Sequence, residues 1–547
     1  MKKVNWLVAA GCVAVLVMLA SVASAAYQHA GDADKDAKFF RDVYPGRVGT
    51  KLHNCTLCHS GGVDTSGKKP VTMGSCQWCH FKYGYNQKGD IKATLNAYGM
   101  DYLAKGRTPA ALKAIEAMDS DKDGFSNIVE IQAIRYPGDQ TDDPSKVVAP
   151  YRVFSKAQLQ AMPQHPQFML MNTTKSGDYY AEYSGVVMQD LLKKAGMTAS
   201  AAKITVYAPD GFAQGHPLDD TSSNAGSSYA PFVNGTYPAA TYYIDPEANT
   251  AVTSYGWCDY TSPGNAGRKH GDPITVPGGL RLILALTADG KDLVPGVLES
   301  TNKLKSGTEG PFRVIAPQKF VGPPDQASTA AKQDVKWPYD ANADHNAGFC
   351  SKSSTIIKVE PLPAGTTDID VLEAGWGYID QGKIIIYGAL EQLTLVSPAE
   401  GAKNVPWRNV PLIWNRMTDP ADPAAAITYT VEYMKENPSL GHWTRISSAP
   451  VAATTPAYAG AGIVALLGTI GMLALGGARR DRRLLSIVVI LAIVGVTIAA
   501  CGGDNSPGSR ASQTVTLEPS TQYYWRVTAD GPSSHNVSAV ASFTTEP

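Results

Sequence analysis

Charge is scarce in this chain. Asp, Glu, Lys and Arg make up only 18% of its 547 residues, and 48 basic against 49 acidic side chains leave a formal charge of −1. Such a balance builds no positive field for a phosphate backbone, so no nucleic acid is expected as partner. Long-period repeats are missing, which excludes a solenoid or a propeller array. With 51 glycines and 36 prolines the chain is no helical bundle either. It is expected to be α+β and loop-rich, and largely β outside any helical module. Cysteine is also sparse, at eight residues, and its placement is informative. The length predicts about three or four domains.

Lys2 and Lys3, an apolar run from Trp6 to Leu19, and Ala23-Ser24-Ala25 form the three-part pattern of a secretory signal peptide over residues 1–25. The mature chain is expected to start at Ala26. A signal anchor is the competing reading, disfavoured by the short apolar run. Export leads to an oxidising compartment where disulfides are allowed. Cys12 lies in the leader and four cysteines form two Cys-x-x-Cys-His runs, which leaves Cys258, Cys350 and Cys501.

The two runs are Cys55-Thr56-Leu57-Cys58-His59 and Cys76-Gln77-Trp78-Cys79-His80. Two thiols three positions apart reach the two vinyl groups on one porphyrin edge, and the adjacent histidine lies under the ring to ligate iron. Two haems c are therefore expected. A four-cysteine zinc ribbon fits the same spacing, but it has no use for a histidine after each pair. His53 and His29 are the first choices for distal ligands, with Met73 and Met100 as higher-potential alternatives; a plain surface histidine is the competing reading. Trp78 and Tyr83 suit packing on a porphyrin.

Asp119, Asp121, Asp123, Gly124, Phe125, Asn127 and Glu130 match the twelve-residue EF-hand loop at each diagnostic position. The three aspartates supply carboxylates, Phe125 a carbonyl, Asn127 a water-mediated contact and Glu130 two oxygens, while Gly124 permits the turn. One structural calcium ion is expected. An Asx-rich turn capping the helix from Asn127 is the competing reading.

These runs, followed by LNAYG (95–99), MDSDKDGFSNIVEI (118–131) and RYPGD (135–139), resemble exported dihaem cytochromes of anaerobic, metal-reducing bacteria. The whole chain resembles the GEGP-motif dihaem proteins, and its version of that motif reads Thr308-Glu309-Gly310-Pro311. The resemblance implies a small, mainly helical dihaem module over 26–150. Residues 182–197, 204–218, 280–293 and 309–317 resemble the sulfite-oxidase-type molybdopterin-binding domain, which implies a mostly β domain over 151–393. That family ligates molybdenum through a cysteine before its Tyr/Trp-x-Gly-Val run, and residues 168–186 contain none. Molybdopterin is therefore not expected. Cys258 and Cys350 are assigned to a disulfide, with a cofactor-binding thiolate as the alternative. His216, His270 and His345 read as loop histidines within reach of a haem, and Arg313 as a weak anion-binding candidate.

Over 394–547, Trp414 and the LxPxTxYYW run from Leu517 to Trp525 resemble a fibronectin type III sandwich with its tyrosine corner. Residues 451–511 interrupt it with two apolar stretches, Ala459 to Gly477 and Leu484 to Ala500, around Arg479, Arg480, Arg482 and Arg483. They predict a transmembrane helical hairpin with its turn in the cytoplasm. Ile498 to Gly502 also resembles a lipoprotein processing site at Cys501.

The function expected from these parts is electron transfer by an exported, membrane-associated dihaem cytochrome. Other cytochromes are its redox partners and membrane lipid its anchor, at the periplasmic face of the inner membrane or at the outer membrane or cell surface. The alternatives are a haem-linked oxidoreductase with a molybdopterin or other substrate in the middle domain, and a surface assembly protein.

Overall fold

The computed structural model describes residues 35–48, 50–53, 56–59, 63–64, 71–72, 90–173, 177–208, 213–220, 231–237, 239–244, 254–255, 258–297, 304–325, 337, 345–369, 378–435, 443–447 and 510–547. They fall into two compact units. The first holds residues up to 144, 153–362 and 367–389; the second holds 145–152, 363–366 and 390–547.

Among its described residues, the N-terminal part of the first unit carries five short helices: α1 (Lys35–Val43), α2 (Thr56–His59), α3 (Ala97–Ala104), α4 (Pro109–Ala114) and α5 (Asn127–Ala133). Each is stopped early. Gly106 and Arg107 turn left-handed after α3, and Ile134 does so at the end of α5. Asn96 and Thr108 start α3 and α4 by accepting the Gly99 and Ala111 amides. The helices close on a core of Phe40, Tyr44, Leu52, Leu57, Tyr98, Tyr102, Leu112, Ile115 and Ile131. Leu57, from the middle of the first Cys-x-x-Cys-His run, is thereby anchored in apolar contacts.

The rest of the first unit is β. A seven-stranded sheet is built on the ten-residue strand Asp178–Val187, flanked by His165–Met171 on one side and Ile283–Ala288 on the other, both antiparallel. Gly185 allows the close crossing over Leu284 and Ala285. A second layer pairs Lys383–Gly388, Ile356–Glu360, Lys203–Tyr207 and Ala213–Pro217, parallel at the first junction and antiparallel at the other two. Nearly continuous apolar runs in the central strands follow from burial on both faces.

The second unit is a fibronectin type III-like sandwich. Val410–Asn415 pairs with Leu395–Ser397 and with Arg510–Val515 in one sheet. In the other, Gln522–Gly531 lies between Thr428–Met434 and the strands Ser534–Val537 and Ala541–Thr545. Trp414, Tyr429 and Trp525 fill the space between. The Glu518 amide donates to the Tyr523 hydroxyl at 3.0 Å, the tyrosine corner read from the LxPxTxYYW run. Strands from both sides of residues 448–509 thus belong to one sandwich.

Two expectations are corrected. The chain is mostly β, and the helices of its N-terminal part, four to nine residues long, share a compact unit with the middle β region and form no separate helical module. The transmembrane hairpin assigned to 451–511 lies outside the described residues except at its end, where Arg510 and Ala511 are β. Among the described residues no helix is long and apolar enough to cross a membrane. Arginine and alanine alternating into a strand register with Trp414 and Asn415 explains why the sandwich resumes there.

Candidate functional site

Thr56 to His59 of the first Cys-x-x-Cys-His run form the single helical turn α2, and residues 94–101 hold it from one side. Thr94 Oγ1 lies 2.6 Å from His59 Nδ1. That bond orients the ring in the way the outer contact of a metal-binding imidazole does. Asn96 donates through Nδ2 to Leu57 O at 3.0 Å and through its backbone amide to Cys58 O at 2.8 Å. Gly99 abuts the same Cys58 carbonyl, where any side chain would clash. Gly138, from RYPGD, approaches Asn96 so closely that a Cβ would stand 2.6 Å from its Cγ. Residues of the LNAYG and RYPGD segments therefore brace the turn that carries Cys58 and His59.

On the preceding segment, His53 stacks on Phe40 with ring centroids 6.2 Å apart, and its Nε2 is buried with no partner among the described residues. An imidazole nitrogen so placed suits a metal or a ligand better than a surface role. Met100 is 53% exposed. Cys55, His29, Met73, Cys76, Cys79 and His80, with Trp78 and Tyr83, lie outside the described residues. Cys58 and His59, in their fixed turn, fit attachment of a haem.

The calcium loop assembles the expected acids. Ligand oxygens of Asp119, Asp121 and Asp123 all lie within 4.8 Å of one another. Asp119 shapes the loop, accepting the amides of Lys122, Asp123 and Gly124 at 2.8, 3.2 and 3.0 Å. Gly124 takes a φ of +102°, as the turn requires. Asp121 and Glu130 are buried, and among the described residues none of their four carboxylate oxygens has a hydrogen-bond partner. Burial, helped by the neighbouring acids, pushes Asp121 up to about 7 and Glu130 up to about 10. Buried carboxylates without donors fit a hard cation, which supplies the missing charge.

Asn127, expected as a water-mediated ligand, is engaged by the loop's own groups. Its amide nitrogen donates to Ile115 O and Ser120 Oγ, and its oxygen accepts the Ser120 amide, so it stitches the loop entrance. The helix-loop-helix of an EF-hand is likewise incomplete, because α4 ends at Ala114, well before Asp119.

In the middle region the disulfide is not formed. Cys258 and Cys350 are both free and buried in different surroundings. Cys258 packs with Phe168, Tyr180, Tyr242 and Tyr260, whereas Cys350 Sγ accepts the Ala316 amide at 3.2 Å. Burial pushes both thiols up, which disfavours the thiolate a cofactor ligand would need. Arg313 is fully buried and its charge is matched: Nη1 bonds Glu309 and Tyr183, and Nη2 reaches Tyr179 at 3.1 Å. Glu309, the acid of the GEGP-like run, also pairs with Lys352. This cluster is a structural clamp, not an anion receptor. His216 is buried with Nδ1 on Pro231 O and pushed down to about 4 by burial; His270 stacks on Trp337 and His345 faces Asp325 at 3.4 Å. With no thiol in 168–186, the stretch does not fit a molybdenum centre of the sulfite-oxidase type.

Sequence reasoning missed Thr94, Asp101, Ser120 and Arg47. Asn96 and Gly99 left a signal as part of LNAYG, Ser120 as part of MDSDKDGFSNIVEI and Gly138 as part of RYPGD. No protein-family model and no curated protein matches the chain. Among solved structures, the FN1–FN3 domains of chicken CNTN1 align at 12% identity over 30% of this chain and 37% of that one, with a TM-score of 0.14. The sulfane dehydrogenase SoxCD from Paracoccus pantotrophus aligns at 9% identity over 69% of this chain and 63% of that one, with a TM-score of 0.18. The chain thus spans less than two thirds of either neighbour, and likeness this slight carries no argument about its activity.

Proposed function

We propose that the protein is an exported dihaem electron-transfer protein. Its haems are attached at Cys55, Cys58 and His59 and at Cys76, Cys79 and His80, and one calcium ion sits at Asp119, Asp121, Asp123, Phe125 and Glu130. The observation that carries this reading is the bracing of α2: a Cys-x-x-Cys-His turn whose histidine Nδ1 is held by Thr94 and whose carbonyls are held by Asn96.

When bound, haem supplies one-electron chemistry at iron. With haem bound, His59 would hold the iron through Nε2, and His53, with His29 second, would be the further candidate ligand. Rigid ligands keep reorganisation between oxidation states small, and electron transfer asks for no proton transfer or nucleophile from the side chains. The β regions then act as scaffold and docking surface for redox partners such as other cytochromes. Reduced and reoxidised pyridine haemochrome spectra, combined with intact mass, test the reading. Two covalent haems that exchange electrons with a soluble c-type cytochrome are expected, and Cys58→Ala should leave one. Zinc in place of iron would overturn it.

A further inference from the structure

One strap of the chain, residues 94–101, touches both the haem-attachment turn and the calcium loop. Thr94 meets His59, Asn96 meets Leu57 and Cys58, and Gly99 meets Cys58. Asp101, two residues further on α3, accepts a hydrogen bond from Ser120 Oγ at 2.7 Å through Oδ2. Ser120 is the second residue of the calcium loop, held on its other side by Asn127 Nδ2 at 2.9 Å. A second tie runs parallel to the first. Arg47 donates from Nε to Ile131 O at 2.8 Å and from Nη2 to Gln132 O at 2.9 Å, capping the helix that carries Glu130. Arg47 lies shortly before His53 and Cys55 in the chain.

We propose that Asp101 is a positioning residue through which calcium sets the seating of the proximal histidine, and so the potential of the first haem. The inference rests on the haem and calcium reading above. The loop points to a cation: among the described residues, the buried carboxylates of Asp121 and Glu130 have no hydrogen-bond partner, and they lie beside the acids of Asp119 and Asp123. Without a cation these clustered carboxylates repel one another, which changes the loop that holds Ser120. The strap is short, and helix α3 is stiff over the span from Asn96 to Asp101. A shift of Ser120 is therefore passed to Thr94 and Asn96, and from them to His59. The bond from Thr94 to Nδ1 is the kind of outer contact that tunes the basicity of a ligating imidazole.

The test uses the full-length holoprotein with calcium or with a chelator. Haem content comes from the haemochrome, bound calcium from elemental analysis, and the two midpoint potentials from a spectroelectrochemical titration. In the wild type, chelation is expected to shift the potential of one haem and its low-temperature magnetic spectrum. Asp101→Ala and Ser120→Ala should each keep haem and calcium yet lose that shift, while Asp101→Asn, which still accepts a hydrogen bond from Ser120, should restore it. Potentials indifferent to calcium in a wild type that holds both groups would overturn the coupling, as would an unchanged shift in both Asp101→Ala and Ser120→Ala. A protein without covalent haem, or without bound calcium, would instead overturn the reading beneath it.

Discussion

Gly99 lies against the carbonyl oxygen of Cys58, so helix α3, which starts within LNAYG, and the turn that carries Cys58 and His59 approach backbone to backbone. A Cβ at position 99 would meet that oxygen and stand 2.9 Å from Leu95 Cδ2. Gly99→Ala is expected to push α2 away from α3 at a cost of about 1–3 kcal/mol, in the manner of an overpacked core. Mass spectrometry of the variant should show partial loss of the first haem. Full occupancy with unchanged melting would count against this close approach.

The calcium loop has a signed pH dependence. Without a cation, Asp121 sits up at about 7 and Glu130 at about 10, so the folded state holds protons that the unfolded chain releases near pH 4. The stability contributed by raised carboxyl groups is full below the unfolded value and is lost as pH climbs through the folded ones. Calcium replaces those protons. Melting temperatures with and without chelator should therefore differ little at about pH 5 and more at about pH 8. A calcium increment that shrank with rising pH would reject the site.

Thr94→Val removes the hydroxyl at His59 Nδ1 while keeping the side chain's shape. Loss of this contact lowers the basicity of the imidazole and favours ferrous over ferric iron, so the potential of one haem should rise. An unchanged potential in a fully loaded variant would show that the bond has no electronic role.

In the sandwich, Glu432 is buried between two arginines. Its Oε2 lies 2.5 Å from Arg526 Nε and its Oε1 lies 2.6 Å from Arg445 Nε. Glu432→Ala leaves the buried Arg526 without its counter-charge, at a cost of about 3–5 kcal/mol. Replacing Glu432 and Arg526 together by Leu and Met is expected to recover most of that loss. Denaturant unfolding of both variants checks the pair.

Cys258 and Cys350 should titrate as two thiols in unfolded, unreduced protein and resist alkylation while folded, because both are buried with raised pKa values. A mass two daltons below the all-thiol value would instead show an oxidised pair.

Local patterns carried what the sequence by itself determined. The Cys-x-x-Cys-His runs, the spacing of Asp119, Asp121, Asp123 and Glu130, and the tyrosine corner at Tyr523 are all set by neighbours within a few residues. Chemistry that demands a fixed spacing leaves a fixed signature. Relations between distant segments were decided only by the tertiary structure. Cys258 and Cys350 looked like partners in an oxidising compartment, yet one packs among tyrosines and the other on the Ala316 amide. Asn127, read as a water-mediated calcium contact, also donates its amide to Ile115 and Ser120, a tie that the loop motif does not foretell. Arg313 resembled an anion receptor until Glu309 and two tyrosines closed around it. In each case a side chain's role depends on which group reaches it first in space, and burial raises the cost of leaving any of them unmatched.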